Sequence, residues 1–143
     1  MSQYNLSRVF SPRQVAVVGA SEKPGSIGSA VMNNLIEGGF PGKLLPVNPK
    51  YETVHGMPVV GTVSELEAGV DLAVIAVPIL AVAGIAQECV AKKIAGAVVI
   101  SAGGKEVGEA GRQIEEQIRA VAYAGGLRIV GPNCFGIILP GGN

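Results

Sequence analysis

The hydrophobic positions of this chain follow two alternating patterns. Residues 15–18, 72–77 and 97–100 are apolar runs with no polar break. Each is too short for a typical helix and reads as a strand buried on both faces. Residues 43–47 and 127–130 read as further strands, with Pro46 placed near a strand end or on a sheet edge. Between them the apolar positions shift to helical spacing. Ile27, Val31, Leu35 and Ile36 predict a helix over 28–37 that stops at Gly38-Gly39. Val82, Ile85, Cys89 and Val90 form one stripe of a helix over 81–93, and Ile114, Ile118, Val121 and Ala122 form one over 109–124. Two minor features complete the pattern. Ser64-Glu65-Leu66-Glu67 fits a capping box opening a short helix that Gly69 closes. Residues 1–12 are a lead-in whose Leu6, Val9 and Phe10 pack at the domain edge.

Strand and helix alternating throughout predict an α/β fold, a doubly wound parallel sheet with helices on both faces, as one domain over residues 1–143. In such a sheet a ligand lies beyond the carboxyl ends of the strands, near the switch in strand order.

Composition narrows the function. Charged residues are only 15% of the chain, against about 25% in ordinary soluble domains. Either another domain or subunit covers part of the surface, with an oligomer among the possibilities, or an Ala/Gly-rich core lowers the fraction by itself. Eleven basic and eleven acidic residues balance, and no basic stripe supports a nucleic-acid partner. No apolar run reaches the roughly 20 residues of a membrane span, and the N-terminus lacks a signal-peptide pattern. One histidine and two separated cysteines do not make a metal site, and a reduced, cytoplasmic setting fits them.

The chemistry concentrates in the turns after the strands. The first strand runs into Gly19, Ser21, Lys23, Gly25, Ser26, Ile27 and Gly28, and then into a helix. Unpaired N–H groups and the dipole at that helix N-terminus suit a phosphate. The spacing departs from G-x-G-x-x-G, and a connection whose glycines only solve packing is the other reading. On the phosphate reading, Gly28→Val would block the ligand and leave the fold intact. The second strand ends at Asn48 and Lys50, where a nicotinamide-binding domain carries an acidic residue for the ribose. A cation there suits a ribose phosphate, or is a solvated lysine in a turn. Val77-Pro78, Ser101-Ala102-Gly103 and the turn holding Asn133 and Cys134 belong to the same edge. No catalytic set is present: His55 is isolated, the serines lack a base, and Cys89 reads as core filler.

Val18-Gly19-Ala20-Ser21, Val47-Asn48-Pro49-Lys50, Ala76-Val77-Pro78 and Gly131-Pro132-Asn133-Cys134-Phe135-Gly136 occur together in this order. In this combination the chain resembles the Rossmann-like CoA-binding domain of ADP-forming acyl-CoA (acetyl-CoA) synthetases, related to the α subunit of succinyl-CoA synthetase. The resemblance implies that CoA, free or acylated, crosses the sheet edge. Ser21 and the turn from Gly25 to Gly28 would hold its nucleotide or pyrophosphate portion, with Lys50 and Asn48 at the adenosine end. Val77 and Pro78 would pad the ligand, and Ser101, Ala102 and Gly103 would line the pantetheine path. Asn133 and Cys134 would lie where the active site is completed. It also implies that the chemistry belongs to a phosphohistidine domain and an ATP-grasp domain outside this chain, so that no residue here is catalytic. Two other readings stand beside it: an NAD(P)-binding domain of an oxidoreductase or redox sensor, and a stand-alone or acetyltransferase-fused regulatory CoA-binding module.

Overall fold

The computed structural model describes residues 5–136. Five parallel strands form the sheet: β1 (Gln14–Val18), β2 (Lys43–Val47), β5 (Leu72–Ile75), β6 (Gly96–Val99) and β7 (Arg128–Val130), in spatial order β2-β1-β5-β6-β7. A two-stranded hairpin, β3 (Thr53–Val54) and β4 (Met57–Pro58), hangs beside β2. The helices are α1 (Leu6–Phe10), α2 (Ile27–Glu37), α3 (Ile79–Ala91) and α4 (Glu109–Gly125).

Burial explains the unbroken apolar runs. In β1, Val15 and Val17 point to one face and Ala16 and Val18 to the other, and all four are buried. One face packs on Val82, Ala86 and Cys89 of α3 and Ile118 and Ala122 of α4. The opposite face packs on Val9 of α1 and Met32 of α2. Both faces are therefore covered, as the doubly wound reading requires. The strand order reverses between β1 and β5, which places the switch point, and hence the ligand crevice, there. Pro46 is tolerated because β2 is an edge strand of the five-stranded sheet.

Three features differ from the sequence reading. The Ser64 capping box does not form. The helical piece is a single 3-10 turn, Val63–Glu65, and its acidic residue is Glu65, whose carboxylate accepts from the Gly61 N–H (3.3 Å) and the Thr62 hydroxyl (3.4 Å). Ser64 instead donates to Glu88 Oε1 on α3, 2.9 Å away. Helix α3 starts at Ile79 rather than Ala81, with the Pro78 carbonyl accepting from Ala81 N–H at 2.9 Å. The lead-in contains a short helix, α1, anchored by charge as well as by apolar packing. Arg8 Nε donates to Asp71 Oδ1 at 2.7 Å, and its Nη2 donates to the Val70 carbonyl at 2.9 Å.

Candidate functional site

At the β1/β5 switch point a cavity of 480 Å³ opens beyond the strand ends, within the range of small-molecule sites. Its floor is the end of β1 and its glycine turn. One wall comes from the segment after β2, and the other from Ala76, Val77 and Pro78 and the first turns of α3. A second cavity of 320 Å³ shares Gly19, Ser26, Val77 and Pro78 with it and continues toward Ser101 and Ala102. Together they form one trough along the carboxyl edge of the sheet.

The glycine turn is built by close contact. Gly19 adopts φ +90° and donates its N–H to the Val47 carbonyl at 2.9 Å. A Cβ on Gly19 would lie 2.3 Å from the Ala76 carbonyl oxygen, and one on Gly28 would lie 1.8 Å from the Gly19 carbonyl oxygen. Gly28 thus lets α2 descend onto the strand end, and its primary role is packing rather than room for a phosphate. Ser26 caps α2: its Oγ accepts from the Ser29 N–H at 3.2 Å and donates to the Lys23 carbonyl at 2.8 Å. The N–H groups of Ile27 and Gly28, in the first turn, have no acceptor within a regular helix. They supply the positive end of the helix at the trough.

The remaining polar residues divide by task. Asn48 is committed to the backbone: its Nδ2 donates to the Ala20 carbonyl, and its Oδ1 accepts from the Lys50 N–H, both at 2.9 Å. It therefore ties the segment after β2 to the glycine turn. Lys50 also lines the larger cavity, and its side chain is exposed. Ser21 is buried, with its Oγ accepting from the Lys23 N–H at 2.9 Å and donating to the Tyr51 hydroxyl at 3.5 Å. The turn after β6 is already occupied by its own carboxylate. Glu106 Oε1 accepts from the N–H groups of Gly103 (2.5 Å) and Gly104 (3.1 Å), and these bonds hold the Glu106 carboxyl below its ordinary value. That turn has no free anion-binding N–H pair, unlike the start of α2.

Of the residues singled out from the sequence, Gly19, Ser21, Ser26, Ile27, Gly28, Asn48, Lys50, Val77, Pro78, Ser101 and Ala102 line the trough. Lys23 and Gly25 lie on the outer side of the turn, both exposed, and Gly103, Asn133 and Cys134 are not among the residues that line the trough. Asn133 N–H donates to the Ser101 carbonyl at 2.9 Å, and the Cys134 thiol donates to the Val99 carbonyl at 3.2 Å. They support the Ser101 turn rather than face the cavity. Sequence reading missed Tyr51, Thr62, Ile85 and Glu88, which also line the cavity. Helical spacing had marked Ile85 as core, but nothing in the local sequence marked the other three.

Cys89 is not placed as a nucleophile. Cys89 is fully buried, and burial, reinforced by the Glu88 charge, pushes its thiol up to about 12. Cys89 is therefore expected to resist iodoacetamide at pH 8 in the folded protein and to react fully in denaturant, as read by peptide mass spectrometry. Alkylation of Cys89 in the native protein would contradict its burial. The described residues contain no cluster of metal-ligating side chains and no helix long and apolar enough to cross a membrane.

The chain is similar to ADP-forming acetate–CoA ligases. The chain is 42% identical over 135 residues to an ADP-forming acetate–CoA ligase of Methanocaldococcus jannaschii, covering 94% of this chain and 19% of that protein. It is 43% identical over 138 residues to the α subunit of ADP-forming acetate–CoA ligase I of Pyrococcus furiosus, covering 94% of this chain and 30% of that subunit. An acetyl-coenzyme A synthetase 1 of Ca. Korarchaeum cryptofilum, solved in complex with phosphate and ADP, superposes with a TM-score of 0.87 at 42% identity. That match covers 92% of this chain and 28% of the other. The chain thus spans about a fifth to a third of the length of these relatives. The pattern of the CoA binding domain family matches residues 13–140, nearly the whole chain. The chain belongs to the CoA binding domain family.

Proposed function

We propose that this chain is the CoA-binding part of an ADP-forming acyl-CoA ligase, that it holds CoA in the trough without turning it over, and that it works in the cytoplasm. The carrying observation is the pairing of a helix N-terminus with a lysine across one apolar crevice. The N–H groups at the start of α2 suit the pyrophosphate. Lys50 stands after β2, where a dinucleotide domain would carry an acidic residue for a free ribose hydroxyl. Val18, Val47, Val77 and Ala81 give the walls apolar faces for the rest of a long, thin ligand. Gly19, Ser26, Ile27 and Gly28 then meet the pyrophosphate, Ser101 and Ala102 meet the pantetheine arm, and Asn48 and Ser21 hold the two walls in register. Phosphoryl transfer and ATP formation belong to a phosphohistidine domain and an ATP-grasp domain, carried on the same polypeptide or on partner subunits. The free thiols Cys89 and Cys134 fit a reducing cytoplasm.

Thermal unfolding with CoA, acetyl-CoA, NAD, NADP and ADP at equal concentrations tests this reading. A ligand that binds only the folded state stabilises it by about 2.7 kcal/mol at one hundred times its Kd. CoA and acetyl-CoA are expected to raise Tm and the nicotinamide dinucleotides are not. A shift with NAD or NADP alone would replace the proposal with an oxidoreductase domain. Lys50→Ala is expected to weaken CoA by roughly tenfold while changing 3′-dephospho-CoA little, because a charge-assisted contact to the ribose phosphate is lost. Equal weakening of both ligands in a calorimetric titration would remove Lys50 from that phosphate.

A further inference from the structure

The apolar end of the trough, away from the α2 N-terminus, contains one carboxylate. Glu88, on the third turn of α3, lines the cavity beside Val63, Ala81 and Ile85, and it is half-buried. Its Oε1 accepts from the Ser64 hydroxyl at 2.9 Å, which fixes the rotamer from the neighbouring 3-10 turn. Among the described residues, nothing donates a hydrogen bond to Oε2. The nearest cation in sequence on the same helix face, Lys92, is engaged elsewhere, donating to the Leu66 carbonyl at 2.5 Å. An oriented carboxylate with a vacant acceptor, set among flat apolar walls, is matched by a planar group that carries N–H donors on its edge. A phosphate is repelled there, so the anionic portion of a ligand is confined to the α2 and Lys50 side.

Resting on the CoA reading above, we propose that Glu88 is the residue that reads the base, accepting a hydrogen bond from the 6-amino group of adenine. The base lies against Ala81, which is exposed, and Ile85, which is half-buried, with its amino edge toward Oε2. A base carrying a carbonyl at that position sets lone pair against lone pair and leaves the carboxylate unpaired. Sites built to bond a donor reject analogues lacking it far more strongly than apolar pockets reject a missing methylene.

The test is calorimetric titration of the wild-type chain, Glu88→Gln and Glu88→Ala with CoA and with the CoA analogue whose adenine is replaced by hypoxanthine. Glutamine keeps an acceptor for Ser64 and adds an N–H₂ that suits the carbonyl of hypoxanthine. The wild type is expected to prefer CoA by about tenfold or more, the scale of one hydrogen bond to a charged group. Glu88→Ala is expected to lose that preference, and Glu88→Gln to bind the hypoxanthine analogue at least as well as CoA, with Tm values confirming that both variants fold. Equal wild-type affinity for the two ligands, or an undiminished preference in both variants, would overturn the role of Glu88 and leave the CoA reading standing. Failure of the wild type to bind either ligand would overturn both.

Discussion

Gly28→Val is expected to lower stability by about 3 kcal/mol or more and to cost ligand binding through loss of the turn itself. The added Cβ would sit 1.8 Å from the Gly19 carbonyl oxygen and 2.9 Å from its carbon. Both are backbone atoms at the end of β1, so no side chain can swing away. Relief requires α2 to lift off the strand, which pulls Ser26 and the first-turn N–H groups out of the trough. Even Gly28→Ala meets the same atoms. The control is Gly25→Ala, whose Cβ would meet nothing within 4 Å and whose only penalty is the left-handed backbone at φ +80°, about 1–2 kcal/mol. Chemical denaturation of the three variants gives the ranking. A Gly28→Val protein with wild-type stability but no ligand binding would restore the phosphate-clearance role expected from the sequence.

The second large effect lies at the opposite end of the strands. Asp71→Ala is expected to destabilise the domain by about 2–4 kcal/mol. Asp71 is buried, and its carboxylate takes Arg8 Nε at 2.7 Å and the N–H groups of Arg13 (2.8 Å) and Gln14 (3.3 Å). It therefore joins α1, the start of β1 and the start of β5. Removing it takes the acceptor from two backbone N–H groups and from Arg8 Nε, although Arg8 Nη2 keeps the Val70 carbonyl. Burial raises the Asp71 carboxyl, but the bonds from Arg8, Arg13 and Gln14 outweigh that and hold it below the ordinary carboxylate value. A group whose folded value is depressed contributes its full stability above the unfolded value, near 4, and loses it as the pH falls through the folded value. The gap in unfolding free energy between wild type and Asp71→Asn is therefore expected to be widest at pH 6–7 and to narrow below about pH 4. Urea titrations at pH 7 and pH 3 read it directly. A constant gap across that range would mean that the charge of Asp71 is not what stabilises the corner.

The same two corners mark where sequence reading works and where it stops. The glycine turn was legible as a strand-to-helix connection, and Lys50 stood out because a cation replaces the residue type expected there. Whether the glycines served a ligand or the packing was not legible, since the contact is between Gly28 and a carbonyl nine residues earlier. Arg8 and Asp71 are 63 residues apart, and no local pattern relates them. The Ser64 box failed for a similar reason. The S-x-x-E spacing was present, but T-x-x-E two residues earlier was present too, and Ser64 found a partner on α3 instead.

By itself the sequence determined the order of strands and helices, because burial on both sheet faces demands unbroken apolar runs and burial on one helix face demands a 3.6-residue period. It also marked the turns after β1, β2 and β5 that line the crevice, because small residues after parallel strands leave room at one edge. The tertiary structure alone decided the strand order β2-β1-β5-β6-β7 and therefore the position of the crevice. It brought Tyr51, Thr62 and Glu88 to that crevice from segments with no shared motif. The physical reason is one of range. Periodicity and capping are set by neighbours within a turn or two, whereas a cavity wall is set by which distant segments the sheet brings side by side.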